Sequence, residues 1–104
     1  MRFSVLYSTA KDMKEAKKIA DALIKEKLAA CISIFPIESM CRWKGKLCNE
    51  KEAGMIIKTT QKKADEAIER IKEIHSYEIP CIISLNIDKG NEEFLEWIAG
   101  EVKS

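Results

Sequence analysis

The run His75-Ser76-Tyr77-Glu78-Ile79-Pro80 concentrates groups that can do chemistry. It holds the only histidine of the chain, one of two tyrosines and one of two prolines. Cys81 follows it directly, and Cys31 closes the segment Leu28-Ala29-Ala30-Cys31. Thiolate and imidazole together suit Cu(I), while imidazole with carboxylate suits Cu(II) or zinc. His75, Cys81 and Cys31 are therefore the candidate metal ligands. The spacing His75-x5-Cys81 matches no standard metal motif, and a closed site needs three or four ligands. Convergence has to come from the fold.

A second group of residues suggests a pocket for a small anion or metabolite. Lys58 interrupts the apolar stretch Met55-Ile56-Ile57, and an ammonium held there needs a partner or a route to water. Glu78 is the candidate partner, and Tyr77 and Trp43 are apolar walls with polar handles. Lys58, Tyr77, Glu78 and Trp43 thus outline a candidate ligand pocket, placed at a subunit boundary. The alternatives for Lys58 are exposure to solvent or an ion pair between subunits. His75, Tyr77 and Lys58 all exchange protons, yet no nucleophile stands beside a base. No P-loop or G-x-G-x-x-G is present, so binding is expected and catalysis is not.

These residues are positioned by a short chain. Its 104 residues suffice for one domain. A net charge of +1 gives no electrostatic case for nucleic acid or a membrane surface, and the RNA-binding aromatic pattern of sheet domains is missing. No run approaches the roughly 18 apolar residues of a membrane span. The start, Met1-Arg2-Phe3-Ser4-Val5-Leu6-Tyr7, is too short in its apolar part for a secretory signal. A cytoplasmic location is expected. There the four cysteines, none in a C-x-x-C pair, would be ordinary reduced thiols.

Periodicity supplies the elements. Residues 2–8 alternate as a strand. Asp12 with Glu15 is a capping box, and Met13, Ala16, Ile19, Ala20, Leu23 and Ile24 share one helical face through about residue 27. Residues 29–36 return to strand character and stop at Pro36. Residues 38–44 are extended, turn at Gly45 and come back through 46–49 as a hairpin. A strand follows at 52–59, and Ala64, Ala67, Ile68, Ile71 and Ile74 mark a second helix. Ile83, Leu85 and Ile87 alternate in a half-buried strand, and Phe94, Leu95, Ile98 and Val102 mark a last helix. The pattern is an α+β, ferredoxin-like βαββαβ sandwich with an inserted β-hairpin and a C-terminal helix.

Two consequences follow from the strands. If Val5, Ile32, Ile34 and Ile83 point to the helices, then Leu6, Cys31, Phe35 and Ile82 form an apolar opposite face, which predicts a sheet-packed homo-oligomer. If the hairpin turns on Lys44-Gly45, Trp43 pairs with Lys46 and Cys41 stands opposite Cys48, near disulfide range. A turn on Gly45-Lys46 shifts the register and separates these thiols.

Four blocks, Leu28-Ala29-Ala30-Cys31-Ile32-Ser33-Ile34, Trp43-Lys44-Gly45-Lys46, Ile57-Lys58-Thr59-Thr60 and His75-Ser76-Tyr77-Glu78-Ile79-Pro80, occur in an order and spacing that resembles the CutA divalent-cation tolerance family. Leu95-x-Trp97 extends the resemblance close to the C-terminus. It implies a ferredoxin-like fold assembled as a homotrimer, similar in architecture to PII-type signalling proteins. It also implies a role in tolerance of divalent metals, with copper as the leading ion and a protein partner not yet identified. The chain departs from the family pattern at Ser76, Cys41 and Cys81. It has Ser8 and Ile74 where some members place a cysteine ligand and a second histidine.

Overall fold

The computed structural model describes residues 1–104. In order, its elements are β1 (Phe3–Ala10), α1 (Met13–Lys25), β2 (Cys31–Trp43), β3 (Lys46–Thr60), α2 (Gln61–Ile74), β4 (Ile82–Ile87) and α3 (Glu92–Glu101). The strands form one antiparallel sheet in the order β2-β3-β1-β4. This is the expected α+β arrangement with one correction: the hairpin is no insertion. β2 runs unbroken through Pro36, and β3 takes residues 46–49 and 52–59 into a single strand. Pro36 is tolerated because β2 is an edge strand, where a missing N–H can face outward.

Local chemistry sets the helix ends. Asp12 caps α1, its Oδ1 accepting the Glu15 N–H at 2.8 Å. At the other end Lys27 takes a left-handed φ of 58°. Its N–H reaches the Ile24 carbonyl and the Leu28 N–H reaches the Leu23 carbonyl. These are the two bonds of a Schellman motif, with lysine where glycine is usual.

Ala16, Ile19 and Leu23 of α1 and Ala64, Ala67 and Ile71 of α2 pack on Leu6, Met55 and Ile57 of the sheet. Met13 and Ile24, expected on the same face of α1, lie at its margins and are exposed. Phe94 and Trp97 of α3 stack on each other at 5.7 Å and remain largely exposed, while Ile98 and Val102 are buried.

The strand faces differ from expectation in an informative way. Ile32 and Ile34 do pack toward the helices, but Val5 and Ile83 do not, whereas Leu6 and Ile82 do. Register is the reason. Leu6 lies in one row with Ile57 and Ile32, and Val5 lies in a row with Lys58 and Cys31. A lysine cannot face the core unpaired, so the whole Val5 row turns outward. The helix-facing side of β1 is Ser4, Leu6 and Ser8, all fully buried. Its serines are accommodated because Ser8 Oγ donates to the Cys81 carbonyl at 2.7 Å, and Ser4 Oγ donates to Asn86 Oδ1 at 3.5 Å. Val5, Tyr7, Ile83 and Leu85 consequently face the side with no helices, with Ile83 51% and Leu85 57% exposed.

Beyond Ala10↔Ala53 the sheet narrows to β2 and β3 alone. This two-stranded ribbon runs to a turn at Lys44 (φ 51°) and Gly45 (φ 79°). Positive φ at both central residues is the type I′ geometry that matches strand twist, and it fixes Trp43↔Lys46 and Cys41↔Cys48. Of the two registers open from the sequence, the first is the one adopted. The protrusion stretches the molecule to 44 × 25 × 21 Å.

Candidate functional site

His75 ends α2 and turns its ring toward β1. Its Nε2 lies 2.7 Å from the Thr9 carbonyl, and its Nδ1 accepts the Tyr77 N–H at 3.0 Å. A backbone N–H can only donate, so Nδ1 carries the lone pair and Nε2 the proton. Both ring nitrogens of the neutral imidazole are therefore in use. The ring also packs 5.0 Å from Tyr77. A metal at His75 would have to displace one of these bonds.

The loop that follows is tied down by two carboxylates on other elements. Glu15, 8% exposed, accepts the Lys11 N–H through Oε1 at 3.0 Å and the Ser76 N–H through Oε2 at 2.9 Å. It is the acid of the expected capping box, but it serves the loop across from it as well as its own helix start. Burial raises the Glu15 carboxyl, and the bonds from Lys11 and Ser76 outweigh this, leaving it below the usual carboxylate range. Glu52 on β3 accepts the Tyr77 hydroxyl at 2.6 Å. Burial, with that carboxylate beside it, pushes the Tyr77 phenol well up, so it stays protonated through the physiological range.

Between this loop and the open face of the ribbon lies a cleft of about 600 Å³. Trp43, Tyr77, Glu78 and Cys81 line it, so four of the sequence-derived candidates meet there. His75 adjoins it through Ser76 and Tyr77. The surroundings of its sulfur and the Glu52 carboxylate push the Cys81 thiol up, although Cys81 as a residue is exposed. The charged residues of the lining are Glu50, Glu52 and Glu78, all carboxylates.

Lys58 and Cys31 are elsewhere. Lys58 Nζ donates to Ser33 Oγ at 2.6 Å and lies 3.8 Å from Cys31 Sγ. Within one chain Lys58 and Glu78 do not pair, because Lys58 shares a row with Val5, four residues along β1 from Thr9. At about 3.3 Å per residue that is some 13 Å. Cys31, in the same row but on β2, lies a further strand away from His75 and Cys81. Across the chain, no three histidine, cysteine or acidic side chains converge as a preformed metal group. Sequence reasoning missed Glu15 and Glu52. The alternation Glu50-x-Glu52 on a strand was the available signal for the second.

The chain matches the family profile described as CutA1 divalent ion tolerance protein over residues 4–101. The chain belongs to the CutA family. It is 45% identical over 93 residues to the divalent-cation tolerance protein CutA of Archaeoglobus fulgidus, covering 89% of this chain and 91% of that one. To the CutA of Pyrococcus horikoshii it is 38% identical over 99 residues, covering 95% and 97%. Among solved structures it is similar to CutA1 from Oryza sativa, with a TM-score of 0.96 and 38% identity over 99% of this chain and 95% of that one. The CutA relationship thus spans the sheet, the ribbon and the loop that carries His75.

Proposed function

We propose that this CutA chain acts in divalent-cation tolerance as a homotrimer that meets its cation in the cleft beside the ribbon. The observation that carries this reading is the sign of the lining: its charged residues, Glu50, Glu52 and Glu78, are all acidic. A concave site of one sign concentrates ions of the other. Among first-row divalent ions copper binds mixed nitrogen, oxygen and sulfur donors most tightly, so copper leads. Because no three ligands are preassembled, capture is coupled to rearrangement. A cation drawing on Glu52 competes with the Tyr77 hydroxyl and loosens the 76–79 loop, which turns binding into a signal. Turnover is no part of the reading, since the Tyr77 phenol stays protonated and both nitrogens of His75 are engaged. Its setting is the reducing cytoplasm, where four free thiols persist.

Assembly is supported by the ribbon and by the open sheet face. A two-stranded ribbon is marginal alone, and a sheet face carrying Val5, Tyr7, Ile83 and Leu85 calls for a cover. Each ribbon extends to the sheet edge of the next subunit, and three such head-to-tail contacts close the ring. Sedimentation should give three times the 11.9 kDa chain mass, and a monomer at micromolar concentration would sink the assembly.

A second reading rests on size. About 600 Å³ with Trp43, Tyr7 and Tyr77 on its walls is room for a small organic ligand, as in a PII-like signalling protein. One calorimetric experiment separates the two. Metal-free protein is titrated with Cu(II) and Zn(II) beside Glu52→Gln, Glu78→Gln, His75→Ala and Cys81→Ser. Stoichiometric binding weakened by the glutamine changes supports cation capture. Binding that ignores all four changes overturns it and leaves the cleft to an organic ligand.

A further inference from the structure

We infer that Cys41 and Cys48 form a two-thiolate site for a soft, closed-shell metal ion near the tip of the ribbon. The pair is directly opposed across β2 and β3, in a register pinned by the type I′ turn at Lys44-Gly45. Both are unbridged, Cys41 is exposed and Cys48 is half-buried. Directly opposed Cβ atoms stand about 4.5–5.5 Å apart. Two metal–sulfur bonds of about 2.3 Å span that gap after rotation about each χ1, with no backbone movement.

The surroundings select the ion. The next pair toward the tip on the same face is Trp43↔Lys46, and the next pair toward the sheet is Ser39↔Glu50. One charge of each sign, Lys46 and Glu50, therefore flanks the pair. The one hydrogen bond of Cys48 Sγ is to the Lys46 carbonyl, at a weak 3.8 Å. No third sulfur or imidazole belongs to this end of the cleft, since Cys81 and His75 lie at the loop and Cys31 beside Lys58. An ion demanding four tetrahedral ligands, such as zinc, is poorly served. An ion content with two sulfurs, Cu(I) above all, is well served, because thiolates select it. In the binding step Cu(I) gains two sulfur bonds, the two thiols release two protons, and no oxidation state changes. The pair lines the same cleft as Glu50, Glu52 and Glu78, and it differs from the carboxylate reading in its donors, sulfur rather than oxygen, and in the ion it selects.

The test uses the native assembly, fully reduced and free of oxygen, titrated with Cu(I) against bicinchoninate as competitor. One tightly held Cu(I) per chain is expected in the wild type and in Cys31→Ser/Cys81→Ser, which keeps only the ribbon pair. Cys41→Ser and Cys48→Ser should each weaken binding by roughly 100-fold, the scale of losing one arm of a chelate. X-ray absorption of the loaded protein should show two sulfur neighbours at the copper. Glu52→Gln and Glu78→Gln should leave this affinity unmoved, which separates it from the divalent-cation test. Undiminished binding in Cys41→Ser/Cys48→Ser overturns the proposal, as does loss of binding in both Cys31→Ser and Cys81→Ser made singly.

Discussion

The Tyr77 hydroxyl donates a 2.6 Å hydrogen bond to Glu52 Oε2, joining the loop after α2 to the ribbon end of β3 across 25 residues of sequence. Both residues line the cleft, so this one bond couples its two walls. Tyr77→Phe keeps the ring and removes the bond. A hydrogen bond to a charged acceptor contributes about 1.5–3 kcal/mol when well shielded, and partial exposure lowers this to about 1–2 kcal/mol. Urea denaturation should show that loss with an unchanged slope. No loss would mean the walls are held together by other contacts.

Glu15 gives the loop a dependence on acid. Its carboxyl titrates lower in the folded chain than its ordinary 4.5. Its stabilising contribution is therefore complete above that value and fades as pH falls through the lower, folded one. Glu15→Gln should reduce stability at pH 7 and flatten the acid limb of a melting-temperature profile below its ordinary value of 4.5. An identical acid limb in the variant would refute the role.

Lys27 occupies a left-handed position at φ 58°, a conformation that costs a non-glycine residue about 1–2 kcal/mol. Lys27→Gly removes that cost but adds freedom to the unfolded chain, worth about 0.4–1 kcal/mol against folding. The net expectation is a gain of about 0.5–1 kcal/mol, read as a higher melting temperature. A lower one would show that the lysine side chain contributes more than its backbone costs.

Leu85, 57% exposed on the open sheet face, tests assembly without disturbing the core. Leu85→Lys should leave the fold of each chain intact by circular dichroism and shift the sedimenting mass toward the single chain. If the mass is unchanged, the face is not the one that copies of this chain cover.

The element order was legible because helices and strands here follow their periods closely. So was the turn: Lys44-Gly45 was one of two registers that the sequence allowed, and it is the one adopted. The facing of β1 and β4 was not legible. Alternation marks Phe3, Val5 and Tyr7 as the apolar side of β1, yet the side under the helices is Ser4, Leu6 and Ser8. Those serines are compatible with burial through hydrogen bonds to residues more than 70 positions away, which no local pattern contains. The site was legible to the same degree. Trp43, Tyr77 and Glu78, expected together around a ligand, line one cleft with Cys81, while Lys58, expected with them, and Cys31, expected beside His75 and Cys81, lie elsewhere. Their exclusion depends on strand register, a long-range quantity.

The ribbon beyond Ala53 has a further consequence. Outside the four-stranded body each of its strands pairs only with the other, so roughly half of its backbone amides point away from any partner within the chain. In the assembly proposed above, a neighbouring copy covers them. In deuterated water a dilute sample should exchange from the turn inward within seconds to minutes, while the amides of the β1–β3 ladder stay protected. Raising the protein concentration should slow exchange in the ribbon alone, so that the rate at its tip reads out how much of the chain is assembled.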